Sequence, residues 1–238
     1  LATAKRGGVT VTRVEITREG LARPRGRYVT LEMPSVSVLD ERDTDVIETG
    51  AAELRALLPP EGPVLVLGIG NRRVTADALG PRTAQKILVT MGPQHTLPVQ
   101  GIRPVAALAP GVSGDTGLTL RQLAAAMVDA VRPAALICVD SLCSAEAARL
   151  GRTIQFSDTG LHPADARHAR HLDAAALGVP VIAAGIPTLM DADEGADLVL
   201  TPRALDSVIA HGSALLAGIL NRALQPRLSV AQLCWLTG

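Results

Sequence analysis

Two aspartates hold the positions from which this sequence could most readily do chemistry. Asp77 lies in the stretch PVLVLGIGNRRVTADALGP, residues 63–81, after an apolar run that ends in a Gly-x-Gly turn. Asp140 directly follows a second apolar run, ALICV, at residues 135–139. Runs that are apolar throughout are typical of parallel strands buried on both faces. Since ligands and reactive groups gather beyond the carboxyl ends of such strands, we expect both carboxylates at one edge of a sheet.

Two carboxylates at neighbouring strand ends would form a general acid–base pair. Carboxylates that lie close together cannot both ionise easily, so one of them keeps a proton near neutral pH. The ionised member can activate a water molecule, and the protonated member can protonate a leaving amine. The alternative is that each aspartate only caps a turn or helix, which is the commoner role for one aspartate after a strand. If the two strands are neighbours, the pair predicts hydrolytic chemistry.

The elements that must position these acids alternate along the chain. Strands are expected at 64–68, 105–108, 135–139, 153–156 and 179–187, and helices at 40–58, 81–91, 120–131, 141–150 and 203–224. This alternation predicts a three-layer α/β/α fold with a mostly parallel central sheet. Alternating apolar residues at 9–16 and a short strand at 28–33 predict an amino-terminal hairpin beside that sheet.

The length of 238 residues suits one domain with a large aliphatic core. We predict a single domain over 1–238 that consists of a loose arm (1–8), the hairpin (9–33), a central α/β core (63–226) and a tail with no assigned role (227–238).

Composition argues against several kinds of partner. The 23 Lys and Arg residues balance 23 Asp and Glu residues, so no basic footprint for a nucleic-acid backbone is present. One Phe, one Tyr and one Trp leave little for stacking on bases. No run of about 18 apolar residues exists, so we expect no membrane span. Cys138, Cys143 and Cys234 are odd in number and lack metal-ligand spacing, which favours a reduced, cytosol-like compartment.

Other motifs that could do chemistry are weaker. The turn GIGN has Gly68 and Gly70 but Arg73 where a dinucleotide site needs a third glycine. Cys143 could act as a nucleophile, but the sequence places no histidine to deprotonate it. No serine lies in a Gly-x-Ser-x-Gly elbow. The two aspartates therefore stay the strongest candidates for catalytic residues.

A cluster of histidines and acids could bind a metal ion. Its members are Asp158, His162, Asp165, His168 and His171. Their residue types suit a metal, but their spacing matches no zinc pattern. The segment is also rich in Ala and Arg, so a solvated loop is the simpler interpretation, and we predict no metal and no cofactor.

Blocks along nearly the whole chain resemble one family. In order to Pro226 they are VTVTRVEIT, GRYVTLEMP, NRRVTADALGP, RPVAALAPGVSGDTG, LICVDSL, TIQFSDTGLHP, LGVPVIAAGIPT and LTPRALDSVIAHGSALLAGILNRALQP. Together they resemble the spore germination protease family. The resemblance implies a cytoplasmic endopeptidase of the spore core that hydrolyses small acid-soluble spore proteins. It implies an aspartic-type mechanism in which Asp77 and Asp140 are catalytic.

The resemblance carries further expectations about assembly and maturation. It implies a fold related to that of hydrogenase-maturation peptidases, a homotetramer, and a zymogen that loses a short amino-terminal segment. Mature members begin with Leu-Ala, and this chain begins Leu1-Ala2. That start fits a processed form, and a trimmed chain would look the same.

The sequence also departs from the family pattern. Arg72-Arg73 replaces a usual Trp-Asn, Ala76 replaces a Pro, Cys143-Ser144-Ala145 replaces Ala-Ser-Arg, and ADARHARH at 164–171 replaces a glycine-rich loop. The altered loop puts its fit to substrate in question and leaves both acids in place. Two alternatives therefore stay open. One is a metal-dependent peptidase of the hydrogenase-maturation kind, in which the same acids and a histidine are ligands. The other is a catalytically silent relative that binds spore proteins.

Overall fold

A computed structural model describes residues 1–6, 8–21, 23–92, 101–161, 171–191 and 198–237. The strands are β1 Ala2–Arg6, β2 Val9–Ile16, β3 Gly26–Glu32, β4 Val64–Gly68, β5 Val105–Leu108, β6 Ala135–Cys143, β7 Thr153–Ser157, β8 Val181–Asp191 and β9 Val199–Leu200. The helices are α1 Thr44–Leu57, α2 Leu79–Ala84, α3 Ser113–Thr116, α4 Leu120–Val131, α5 Ala174–Leu177, α6 Leu205–Leu224 and α7 Val230–Thr237.

The strands form one mixed sheet. Its order is β1-β2-β3-β7-β8-β6-β4-β5, and β9 pairs with β8 outside this path. The strands β5, β4, β6 and β8 run parallel to one another. From β8 through β7, β3 and β2 to β1, every pairing is antiparallel. The α/β class and the amino-terminal hairpin are confirmed, but the prediction of a mostly parallel sheet is wrong. The hairpin continues the sheet through the β3–β7 pairing instead of lying beside it.

Two apolar cores cover the two faces of the parallel strands. In β4, Val64 and Val66 face the larger core with α1, α2 and α6, whereas Leu65 and Leu67 face the smaller core with α4. All four side chains are fully buried. This double burial explains why β4 and the first five residues of β6, 135–139, are continuously apolar and not alternating.

Several local predictions differ from the structure. The arm predicted at 1–8 contains β1, whose exposed residues pair with β2. The helix predicted at 141–150 is wrong, because β6 continues to Cys143 and a single 3-10 turn, Ala147–Arg149, follows. Pairing with β8 through Cys143 keeps this segment extended, which local helical preference could not reveal. The tail at 227–238 contains α7.

Among the described residues, α6 is the helix with the length and composition of a membrane span, and 72% of an apolar 18-residue stretch within it is buried inside the protein. It packs against α1 and α2 as the central helix of the larger core.

An ion pair in which one partner is buried links the hairpin to α1. Arg13 of β2 donates from Nε to Glu53 Oε2 at 2.6 Å and from Nη2 to Glu53 Oε1. Glu53 is only 7% exposed. The hydrogen bond to Glu53 raises the pKa of Arg13, and burial opposes part of this rise. The two-pronged geometry fixes the orientation of the hairpin as well as its distance from α1.

Replacing Arg13 with alanine should lower the free energy of unfolding by about 2 kcal/mol, because the buried Glu53 carboxylate loses its partner. Urea denaturation followed by circular dichroism measures the change. The matched control is Arg149→Ala, which removes the exposed pair with Glu146 and should cost less than about 1 kcal/mol. Equal losses in the two variants would contradict the structural role of the Arg13 pair.

Candidate active site

Asp77 lies in the loop that follows β4. It ends a single 3-10 turn, Thr75–Asp77, and its side chain is half-buried. The carboxylate atom Oδ2 accepts a hydrogen bond from the backbone N–H of Asn71 at 2.7 Å, so the loop closes on its own acid. Gly70 has φ +125°, and a Cβ at this position would overlap the Asp77 carbonyl oxygen. A residue with a side chain therefore cannot replace this glycine without moving the acid.

Asp140 lies inside β6, where the sequence had placed it just past the strand. Its register partner is Gly185 of β8. Its Oδ1 accepts a hydrogen bond from the Ser141 N–H at 2.8 Å, and the side chain is half-buried. The position of this acid is thus set by a central strand with a parallel neighbour on each side.

Backbone contacts join the two segments that carry the acids. The N–H of Ile69, at the end of β4, donates to the carbonyl of Val139 at 2.8 Å. Gly80, at the start of α2, lies so close that a Cβ there would overlap the Val139 and Ile69 carbonyl oxygens. Val139 directly precedes Asp140, and Gly80 is three residues past Asp77. The structure therefore brings both segments to the same carboxyl edge of neighbouring strands; their catalytic roles remain a prediction.

Strand β8, which pairs with β6, also contacts the loop that carries Asp77. Thr188 of β8 is fully buried, and its hydroxyl donates to the Ala76 carbonyl at 2.9 Å. Sequence reasoning missed this residue, since one threonine at the end of an apolar strand gives no local signal. Ser141, one residue past Asp140, carries a buried hydroxyl that makes no hydrogen bond to the described residues.

A polar row crosses the sheet towards Asp140. In register with it, strand by strand, lie Gly185 of β8, Gln155 of β7 and Thr30 of β3. Register partners project to the same face of a sheet. Gln155 and Thr30 are both partly exposed. The antiparallel half of the sheet thus presents polar side chains on the face that Asp140 shares.

The glycine turn is explained by close packing. A Cβ on Gly68 would overlap the carbonyl oxygen of Gly80, so the two glycines let α2 approach the end of β4. Arg73 is 83% exposed and forms an ion pair with Asp115 at 3.5 Å. These contacts account for the motif without a nucleotide.

The cysteines do not have the surroundings of a nucleophile. Burial raises the pKa of Cys143, as does the charge of Asp191, whose Oδ2 lies 3.9 Å from the sulfur. Cys138 is a core residue of β6, and burial together with the charge of Asp140 raises its pKa strongly. Both shifts disfavour the thiolate, which is the reactive form of cysteine.

The cluster of histidines and acids that was considered as a metal site, but predicted to be a solvated loop, is described only in part. His162, Asp165 and His168 lie outside the described residues. Asp158 accepts hydrogen bonds from the N–H and Nε of Arg27, each at 2.7 Å, and so links β7 to β3. Within the described ranges, no group of three or more His, Cys, Asp or Glu residues could hold a metal ion.

Comparisons with known proteins identify relatives of this chain. The germination protease family model matches residues 1–194. A germination protease of Clostridium perfringens strain 13 is 32% identical over 278 residues, covering 92% of this chain and 86% of that protein. A germination protease of Caldanaerobacter subterraneus subsp. tengcongensis is 41% identical over 200 residues, covering 78% of this chain and 61% of that protein.

A solved structure, the NiFe hydrogenase maturation protease HycI from Thermococcus kodakarensis KOD1, covers 72% of this chain and 98% of its own length, with 16% identity and a TM-score of 0.47. This likeness is too low to support an inference about function.

The α/β fold and the family match together define this protein as a peptidase. More particularly, the chain belongs to the germination protease family. The resemblance in the sequence blocks is thereby confirmed.

Replacing Gly80 with alanine should push α2 away from the ends of β4 and β6, because the new Cβ meets two backbone carbonyls that cannot move aside. Overpacking of this kind costs about 1–3 kcal/mol of unfolding free energy, which urea denaturation measures. Gly114→Ala is the matched control, since a Cβ there meets nothing within 4 Å and should change stability by no more than about 1 kcal/mol. Wild-type stability in the Gly80 variant would show that α2 does not pack there so closely.

Proposed function

We propose that this protein is an aspartic-type endopeptidase that hydrolyses small acid-soluble spore proteins in the spore core during germination. Membership of the germination protease family carries this proposal. The position of Asp77 and Asp140 at one edge of the sheet supports the choice of catalytic residues. Assembly as a homotetramer and maturation from a zymogen are parts of the same proposal.

The mechanism uses the two carboxylates in complementary protonation states. One acid, ionised, takes a proton from a water molecule as the water attacks the scissile carbonyl carbon. The other, protonated, gives its proton to the amide nitrogen, so the C–N bond breaks and a neutral amine leaves. Asp77 is oriented by the Asn71 N–H and Asp140 by the Ser141 N–H. Because both side chains are half-buried, water and substrate can reach them from the edge of the sheet.

The substrate chain is expected to approach along the polar row. Gln155 and Thr30 offer hydrogen-bonding side chains on the face of the sheet that Asp140 shares. An extended peptide presents backbone N–H and C=O groups at regular spacing, which such side chains can bind without demanding particular substrate side chains. Such binding suits an enzyme that cuts several related spore proteins.

Asp77→Asn and Asp140→Asn should each lower kcat on a purified small acid-soluble spore protein by between about a hundredfold and ten-thousandfold, because the amide can neither accept nor give the required proton. Gel electrophoresis and mass spectrometry of the fragments measure turnover, and circular dichroism confirms folding. The matched control is Asp129→Asn, an exposed acid near the end of α4, which should keep wild-type activity.

Full activity in either site variant would remove that acid from the mechanism. A wild-type protein that binds the spore protein and cuts it at no pH would instead be the catalytically silent relative.

A metal-dependent mechanism with the same acids is the second candidate. The observation in its favour concerns the described residues on either side of the range 162–170, which contains His162 and His168. Its flanking residues, Leu161 and Leu172, form a β-bridge and pack in the same small core as Ile69, which starts the Asp77 loop.

Chelation separates the two mechanisms. If the acids act alone, dialysis against EDTA and 1,10-phenanthroline should leave kcat unchanged, and elemental analysis should find less than one metal ion per chain. If a metal ion is required, activity falls with the metal content and returns when Zn²⁺ or Ni²⁺ is added back. The second result would replace the aspartic mechanism while keeping the endopeptidase activity.

A further inference from the structure

A single buried hydroxyl links the loop that carries Asp77 to the sheet. Thr188 of β8 is 0% exposed, and its Oγ1 donates to the carbonyl oxygen of Ala76 at 2.9 Å. The two residues are 112 positions apart in the chain. The bond therefore joins separate elements and is not part of either element's own backbone pattern.

The turn that receives this bond has little intrinsic rigidity. It is one 3-10 turn, and its other hydrogen bonds include local ones: Asp77 N–H to Val74, Ala78 N–H to Thr75, and the Asn71 N–H to the Asp77 carboxylate. Short 3-10 segments have poor hydrogen-bond geometry and deform readily. A contact from a central strand can fix such a turn where local bonds cannot.

We propose that Thr188 is a positioning residue that sets the distance between Asp77 and Asp140. Its strand, β8, pairs directly with β6, and Gly185, three residues before Thr188, is the register partner of Asp140. One pair of strands thus carries one acid and holds the loop of the other. The inference rests on the proposed function for its catalytic meaning, whereas the effect of Thr188 on the loop does not depend on it.

Kinetics provide the first test. Thr188→Val keeps the shape of the side chain and removes the hydroxyl, so kcat should fall by about tenfold to a hundredfold while KM stays within about twofold, because displacement of a reacting group slows chemistry more than binding. Thr188→Ser restores the hydroxyl and should return kcat to within about threefold of wild type.

The matched control is Thr83→Val in α2. Thr83 is also 0% exposed, and its hydroxyl donates to a backbone carbonyl, that of Leu79, at 2.8 Å. This bond stays within one helix, where the carbonyl also accepts the regular helical hydrogen bond. Its loss should change kcat by less than about twofold.

Hydrogen exchange provides a second test that needs no activity. Because the Asn71 N–H is bound to the Asp77 carboxylate, loosening the turn should speed exchange at Asn71 by about fivefold or more in Thr188→Val and leave it unchanged in Thr83→Val. If the valine variant does not fold, Thr188→Ala is measured in its place.

The outcomes separate the two proposals. Unchanged exchange at Asn71, an effect on KM alone, or equal losses in the Thr188 and Thr83 variants overturns the positioning role. Absence of cleavage by the wild-type protein overturns the proposed function, and the exchange measurement still decides the part played by Thr188.

Discussion

The close approach of backbone to backbone at the ends of β4 and β6 is the constraint on which the candidate site depends. The Ile69 N–H binds the carbonyl of Val139, and Gly80 lies against both of their carbonyl oxygens. No side chain fits between these segments, so contacts between backbone atoms set the distance between them. The acids differ in how they are held from there on: Asp140 belongs to the sheet, whereas Asp77 depends on a loop that the sheet must restrain.

The two halves of the sheet are stabilised by different interactions. The parallel half carries both acids and is buried on its two faces by aliphatic side chains. The antiparallel half is fastened by charged pairs, Arg13 with Glu53 and Arg27 with Asp158. A pair in which one partner is buried contributes specificity of placement as well as attraction. Such pairs help the hairpin hold one position on α1 and β7 although its other face is polar.

The local sequence pattern correctly predicted the elements whose bounds are set by burial of their own apolar side chains. It failed for elements whose bounds or pairing depend on residues far away in the chain. The runs of β4 and β5 and the helix α4 have the predicted bounds, because each is fixed by its own apolar residues. The continuation of β6 through Cys143 and the antiparallel pairing of β3 with β7 depend on partners far away in the chain. The same holds at the candidate site. The sequence indicated Asp77 and Asp140, but the residues around Thr188 do not predict its hydrogen bond to the Ala76 carbonyl.

The register that aligns Thr30, Gln155 and Gly185 with Asp140 limits how chains of this family can differ in length. One residue added within any of these strands would turn the following side chains to the opposite face. The Clostridium perfringens protein matches over 278 aligned positions, more than the 238 residues of this chain. The additional residues of that relative are therefore expected in the connections between elements and not within these strands.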